Sequence, residues 1–219
     1  VYLNPAMTSD GGAIDYSQRK AKIDKTVPFD IRKAVTLDQN EYTVEPGQSM
    51  MIPVHVKIPD LDWKGRVLGG LNVKKKDAGS DSQDSKGTAY KTKIAYSVAV
   101  VLQESEEKIT PDLSYLKTIP NKVNGYTTIQ MKFRNPTPTI IPDLIFTTTL
   151  YKNGQKFIEN TSNSYTVAPN TVFNVNLGLN GKRVEAGKYK VDITAKSGPF
   201  YKWHFTDEFE ITAEKAAEV

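Results

Sequence analysis

Cysteine is missing from all 219 residues, so disulfides, thiolate metal sites and cysteine nucleophiles are excluded. Histidine is scarce. A zinc site or a Ser-His-Asp triad would have to use His55 or His204, and neither sits in a recognisable motif. No apolar run approaches the ~18 residues that read as a membrane span, and the first residues lack the basic-then-apolar pattern of a signal peptide. A strong charge of one sign is missing too. The net +4 divides into +1 over residues 1–108 and +3 over 109–219. Neither half carries the surplus of a nucleic-acid binder, so no nucleic-acid partner is expected; mild attraction to anionic polymers fits the balance. With 38% hydrophobic residues the chain can still build a core.

What is present is alternation with period two. Met50, Ile52, Val54, Val56 and Ile58 share one face, with Met51, His55 and Lys57 on the other. Ile94, Tyr96, Val98, Val100 and Leu102 alternate with the apolar Ala95, Ala99 and Val101, which predicts a strand buried on both sides. Ile129, Met131 and Phe133 alternate with Gln130, Lys132 and Arg134, and similar patterns recur at Phe173–Leu179, Tyr189–Ala195 and Trp203–Ile211. Asn153-Gly154 is a strong two-residue hairpin signal, since both residue types tolerate positive φ. Strands separated by turns about every ten residues predict an all-β chain of immunoglobulin-like sandwiches.

Two such sandwiches are expected. Tyr42-Thr43-Val44-Glu45-Pro46 resembles Tyr165-Thr166-Val167-Ala168-Pro169, and at the same offset Met50 aligns with Phe173 and Val54 with Leu177. The charged stretch Glu104–Lys108 ahead of Pro111 marks the boundary, giving units 1–108 and 109–219. The second unit offers strands near 113–119, 126–135, 144–152, 155–162, 171–179, 187–196 and 203–212. The first offers fewer, near 1–7, 29–37, 50–58, 66–76 and 90–102, and Val1-Tyr2-Leu3 reads as mid-strand, so this unit is expected to begin about two strands late. Its open sheet edge would leave residues such as Val54 and Val98 facing water. Covering several hundred Å² is worth on the order of 10 kcal/mol, comparable to the whole stability of a domain, so a further strand is expected to fill the edge. Two loops stand out: the polar 21 residues from Thr8 to Pro28, long enough to be functional or disordered, and the linker-like Asp77–Thr88.

Catalytic patterns are weak. There is no Gly-x-Ser-x-Gly elbow and no phosphate-cradling glycine loop. Gly65, Gly69 and Gly70 read as bulge or close-packing glycines in a strand. Asp60/Asp62 and Asp81/Asp84 are paired acids of a kind common in turns. No enzymatic activity, metal or cofactor is expected. Aromatic residues are the better signal. Trp63, beside Asp62 and Lys64, either stacks on a sugar face or caps the core. In Phe200-Tyr201-Lys202-Trp203-His204-Phe205, one aromatic face packs inward or forms an exposed adhesive patch.

These segments resemble a known family. Ile58-Pro59 leading to Trp63-Lys64-Gly65-Arg66-Val67-Leu68-Gly69-Gly70-Leu71 is similar to a signature of the WxL-interacting proteins of Gram-positive bacteria. Gly11-Gly12-Ala13-Ile14-Asp15-Tyr16, Ala168-Pro169-Asn170-Thr171, Ala186-Gly187-Lys188-Tyr189, Trp203-His204-Phe205 and Phe209-Glu210-Ile211 match in the same order. The resemblance implies a peptidoglycan-binding unit followed by a host-binding unit. It implies an extracellular surface protein with WxL-domain partners, peptidoglycan and host matrix proteins as ligands, and a membrane contact only through a C-terminal helix that this sequence does not include. On this reading Trp63, Asp62, Tyr16, Tyr201 and Trp203 are the candidate ligand contacts. The alternative is a carbohydrate-binding or accessory module of a cell-wall hydrolase.

The strand inventory carries a direct test. Expressed separately, 109–219 is expected to melt cooperatively and 1–108 is not; a cooperative melt of monomeric 1–108 would contradict the division.

Overall fold

The computed structural model describes residues 1–76 and 95–219, and over these it is an all-β protein. The predicted loop tip at Asp77–Thr88, the acids Asp81 and Asp84, and Ile94 lie outside the described residues. The first part contains β1 (Tyr2–Pro5), β2 (Met7–Thr8), β3 (Ile14–Asp15), α1 (Ile31–Ala34), β4 (Val35–Leu37), β5 (Val54–Val56), β6 (Arg66–Lys74) and β7 (Ala95–Gln103). β6 is the centre of an antiparallel sheet ordered β1-β6-β7, while β2-β3 and β4-β5 form separate hairpins. A small core of Ile31, Ala34, Val35, Trp63, Val67 and Leu102 lies beneath the sheet.

Several expectations for this part are corrected. The predicted strand at 29–37 opens as the helical turn α1, because the Asp30 carboxylate accepts from the Arg32 N–H and caps it. The predicted strand at 50–58 shrinks to β5, and its apolar face is exposed, with Met51 95% exposed on the other face. β4 turns Val35 into the small core, but among the described residues nothing covers Val54 and Val56 of its partner β5 in the two-stranded hairpin. Residues 42–46 form no strand, whereas Tyr165–Val167 do, so the proposed internal repeat does not hold in structure. β7 is not buried on both sides. Among the described residues it is an edge strand, in which Leu102 is buried and Val100 half-buried, while Tyr96 and Val98 are 69% and 61% exposed.

The second part runs through β8 (Ser114–Val123), β9 (Tyr126–Arg134), β10 (Ile141–Lys152), β11 (Gln155–Thr161), β12 (Tyr165–Val167), β13 (Val172–Gly178), β14 (Gly187–Ser197) and β15 (Tyr201–Ile211), ending in α2 (Ala213–Glu218). One sheet is ordered β13-β9-β8. The other is ordered β11-β10-β14-β15, with β12 added to β10. Asn153 and Gly154 both take positive φ, as the β10–β11 turn requires. The sheets face each other because alternate residues point inward: Ile129, Met131 and Phe133 from β9 meet Phe146 and Leu150 from β10 and Val191 and Ile193 from β14. Phe133 is the hub, with its ring 4.8 Å from Phe146, 5.9 Å from Phe173 and 5.7 Å from Phe205.

The long Thr8–Pro28 segment is laid down on the second part. The Thr8 and Thr171 hydroxyls are 2.8 Å apart, and the Ala168 N–H donates to Thr8 Oγ1 at 3.0 Å. The Thr166 N–H donates to the Gly12 carbonyl at 2.7 Å, and the Tyr165 hydroxyl to that of Asp10 at 3.0 Å. Burial, with the charge of Asp10 beside it, pushes the Tyr165 phenol up to about 12. Further along, Asn170 Nδ2 donates to the Thr26 carbonyl at 2.9 Å and Arg134 Nε to Asp24 Oδ2 at 3.0 Å. Burial raises the Asp24 carboxyl, but bonds from the Thr26 N–H and hydroxyl and from Arg134 outweigh it and leave it below the usual range.

Two tests follow from this packing. Phe133→Ala is expected to cost about 3–5 kcal/mol in denaturant unfolding, and Met51→Ala less than about 0.5 kcal/mol; equal effects would contradict the assigned core. Because Asp24 is depressed in the folded state, its contribution is present above about pH 4 and lost as pH falls through its folded value. Asp24→Asn is therefore expected to cost about 1.5–3 kcal/mol at neutral pH. The difference from the parent should vanish in acid, and a pH-independent difference would overturn the assignment.

Candidate functional site

The structure separates the five candidate contacts into two groups. Trp63 is 6% exposed and packs edge-on against Phe29 at 5.1 Å, inside the small core. Its indole is out of reach of a sugar face, which corrects the stacking reading; Val67, in the buried run at the start of β6, lies in the same core. Asp62, its neighbour, stays exposed. Tyr16 is half-buried: its carbonyl accepts from Asn4 and Asn72 at 2.7 and 3.0 Å, and burial pushes its phenol up. Tyr201 and Trp203 do come together, half-buried, as neighbours on one face of β15 with rings stacked at 6.1 Å. Trp203 Nε1 donates to Asp112 Oδ1 at 3.2 Å. Phe200 beside them is almost fully exposed. Tyr201 also borders a 310 Å³ hollow shared with Gly65, Glu106 and Pro138.

Deeper on β8 and β15, the Tyr115 hydroxyl donates to the Asp207 carboxylate and accepts from the Thr118 hydroxyl, 2.7 Å away. Burial and the Asp207 carboxylate push this phenol far up, so it stays protonated as a donor. His204 pairs with Asp192 at 3.0 Å and His55 with Asp38 at 2.8 Å, both histidines on the surface. Among the described residues no group of three or more His, Asp or Glu is placed to hold a metal ion.

One concentration of positive charge was not among the candidates. Between the Thr8–Pro28 segment, the start of β6, the outer face of β9 and the approach to β13 lies a cleft of 540 Å³. Inward alternation on β9 sends Met131 and Phe133 into the core and leaves Lys132 and Arg134 on the opposite face. Lys22 and Lys25 come from the segment and Arg66 from β6, where it is exposed and its Nε donates to Gln103 at 2.9 Å. Among the described residues Asp24 is the only acid in the lining, and it already serves Arg134. The floor is apolar, built from Val27, Phe29, Ile31, Val67 and Leu68. The sequence held a partial signal: the long polar segment, and Lys132 and Arg134 alternating with core residues.

Residues 1–75 match the description "WxL Interacting Protein, peptidoglycan binding domain", and residues 85–219 match "WxL Interacting Protein, host binding domain". No curated protein and no solved structure gives a significant match. The second match alone spans more than half of the sequence, in the order that the short motifs had indicated, and the chain belongs to the WxL Interacting Protein family.

Proposed function

We propose that this chain is a non-catalytic cell-surface binding protein of a Gram-positive exterior. It is made of two tandem immunoglobulin-like units, 1–108 and 109–219, that bridge peptidoglycan, WxL-domain proteins and host or extracellular ligands. Two binding-domain matches in sequence support the wall and host ends of that bridge. Tyr201, Trp203 and the exposed Phe200 offer the second unit an aromatic face for an extracellular ligand, and Asp62 remains an accessible polar contact on the first. Anchoring to the membrane belongs to the family reading; among the described residues no helix is long and apolar enough to cross a bilayer.

The observation that carries the bridging reading is β7. It pairs with β6 on one side and, among the described residues, with no strand on the other. Its nine residues contain no charge, no proline and no glycine, and Tyr96, Val98 and Val101 are exposed. Natural edge strands are usually blunted by lysine, proline or a bulge, so an unprotected apolar edge is a template for strand addition. A β-strand of a WxL-domain partner is the occupant proposed for it. Backbone bonds would supply affinity, and the alternating apolar side chains would set the register.

The test is Val98→Lys, a change at an exposed position that should leave the melting temperature within about 2–4 °C of the parent. Binding to a purified WxL-domain protein is expected to weaken at least about tenfold. Unchanged affinity would refute β7 as the docking edge.

A further inference from the structure

We infer that the cleft between the Thr8–Pro28 segment and β9 is an oxyanion site. It would take a ligand that joins a carboxylate or phosphate group to a small apolar part. The inference rests on the wall-binding reading above and gives it a location and a chemistry.

Charge is the first argument. The lining holds five cationic side chains, Lys22, Lys25, Arg66, Lys132 and Arg134, against the single carboxylate of Asp24, a surplus of four. The whole chain carries a net charge of +4, so a surplus equal to its entire imbalance is gathered in one concavity. Arg134 is neutralised by Asp24, but Lys22, Lys25, Arg66 and Lys132 form no ion pair among the described residues. Like charges held together without counter-charges repel one another, and a bound anion relieves that cost.

Shape is the second. A volume of 540 Å³ falls in the range of small-ligand clefts, about 300–1,000 Å³. It would admit a segment of a polymer and not its full width. Apolar groups form the floor and cations the rim, so the ligand would set an uncharged part on Phe29, Val67 and Leu68 and turn its anionic group toward the lysines. Guanidinium and ammonium donors make charge-assisted bonds to carboxylate or phosphate, roughly twice as strong as neutral ones.

Rigidity is the third. The segment that brings Lys22 and Lys25 is held on both flanks, by Thr8 on Thr171 and by Asp24 and Thr26 on Arg134 and Asn170. The cations are thus pre-positioned, which lowers the ordering cost of binding.

Two wall components share this chemistry: the carboxylates of a peptidoglycan stem peptide, with its alanine methyl groups, and the phosphodiesters of a polyol-phosphate polymer. The experiment compares the intact protein with the triple variant Lys22→Gln/Lys25→Gln/Lys132→Gln, and with the control Lys196→Gln/Lys202→Gln on β14 and β15. Titration calorimetry uses a muramyl pentapeptide in one arm and a glycerol-phosphate oligomer in the other, at low and at high salt. Binding in at least one arm is expected, weakened by salt. It should fall at least about tenfold in the triple variant and stay unchanged in the control, with all three proteins melting alike. The arm that binds identifies the source of the oxyanion. Co-sedimentation with purified sacculi separates the two readings. If the parent and the triple variant sediment equally, the oxyanion site is refuted and wall binding stands. If the parent neither sediments nor binds either probe, both are refuted.

Discussion

Close approach along β6 is the constraint on which the rest of the first part depends. A Cβ at Gly70 would lie 2.6 Å from Tyr16, and one at Gly69 would lie 2.7 Å from the Asn4 carbonyl. At Gly65, where φ is +74°, a Cβ would sit 2.3 Å from the Pro138 carbonyl, the acceptor of the Arg66 N–H at 2.7 Å. These are backbone-to-backbone and ring-to-backbone approaches that no side chain fits. Glycine lets β1 and the Tyr16 loop lie flat on the strand, and lets the β9–β10 connection touch its start. From that seat the segment reaches the second part and fastens there.

The second part is the rigid body that this arrangement leans on. Its core is continuous, with Phe133, Phe146 and Phe173 in mutual contact and fully or almost fully buried. The small core around Trp63 and Ile31 is no match for it, and Ala168 from the second part packs with Ala6 and Leu68 of the first. Strand alternation then assigns the surfaces: what β9 does not send inward, Lys132 and Arg134, becomes one wall of the cleft, and what β15 turns outward, Lys202, His204, Thr206, Glu208 and Glu210, becomes a polar face, while its aromatic residues lie half-buried on the other side.

Much of this was legible in the sequence. The strands of the second part were, because both of its sheets bury one face and expose the other, so alternation maps directly onto burial. The Asn153-Gly154 turn and the close-packing glycines of β6 were legible because their backbone requirements are local. The three-residue β12 was too short to show a period. In the first part alternation misled: β5 and β7 carry apolar faces that no described layer covers, so the pattern read as core where the structure has surface. Trp63 was ambiguous for a related reason, since a tryptophan beside charged residues can turn either way and Phe29 gives it an inward partner. The cleft was hidden because its cations come from residues 22, 25, 66, 132 and 134, and only the docking of the segment on β9 brings them together.

That docking is the central claim, and residue-resolved hydrogen exchange measures it most directly. The Thr166 N–H, bonded to the Gly12 carbonyl, and the Arg66 N–H, bonded to that of Pro138, each cross between the two parts of the chain. If the parts are fastened as described, both amides exchange far more slowly than exposed loop amides, in the range of the strands they adjoin. Exchange of both at the rate of free loops, with the β9 and β14 amides still protected, would contradict the docked arrangement.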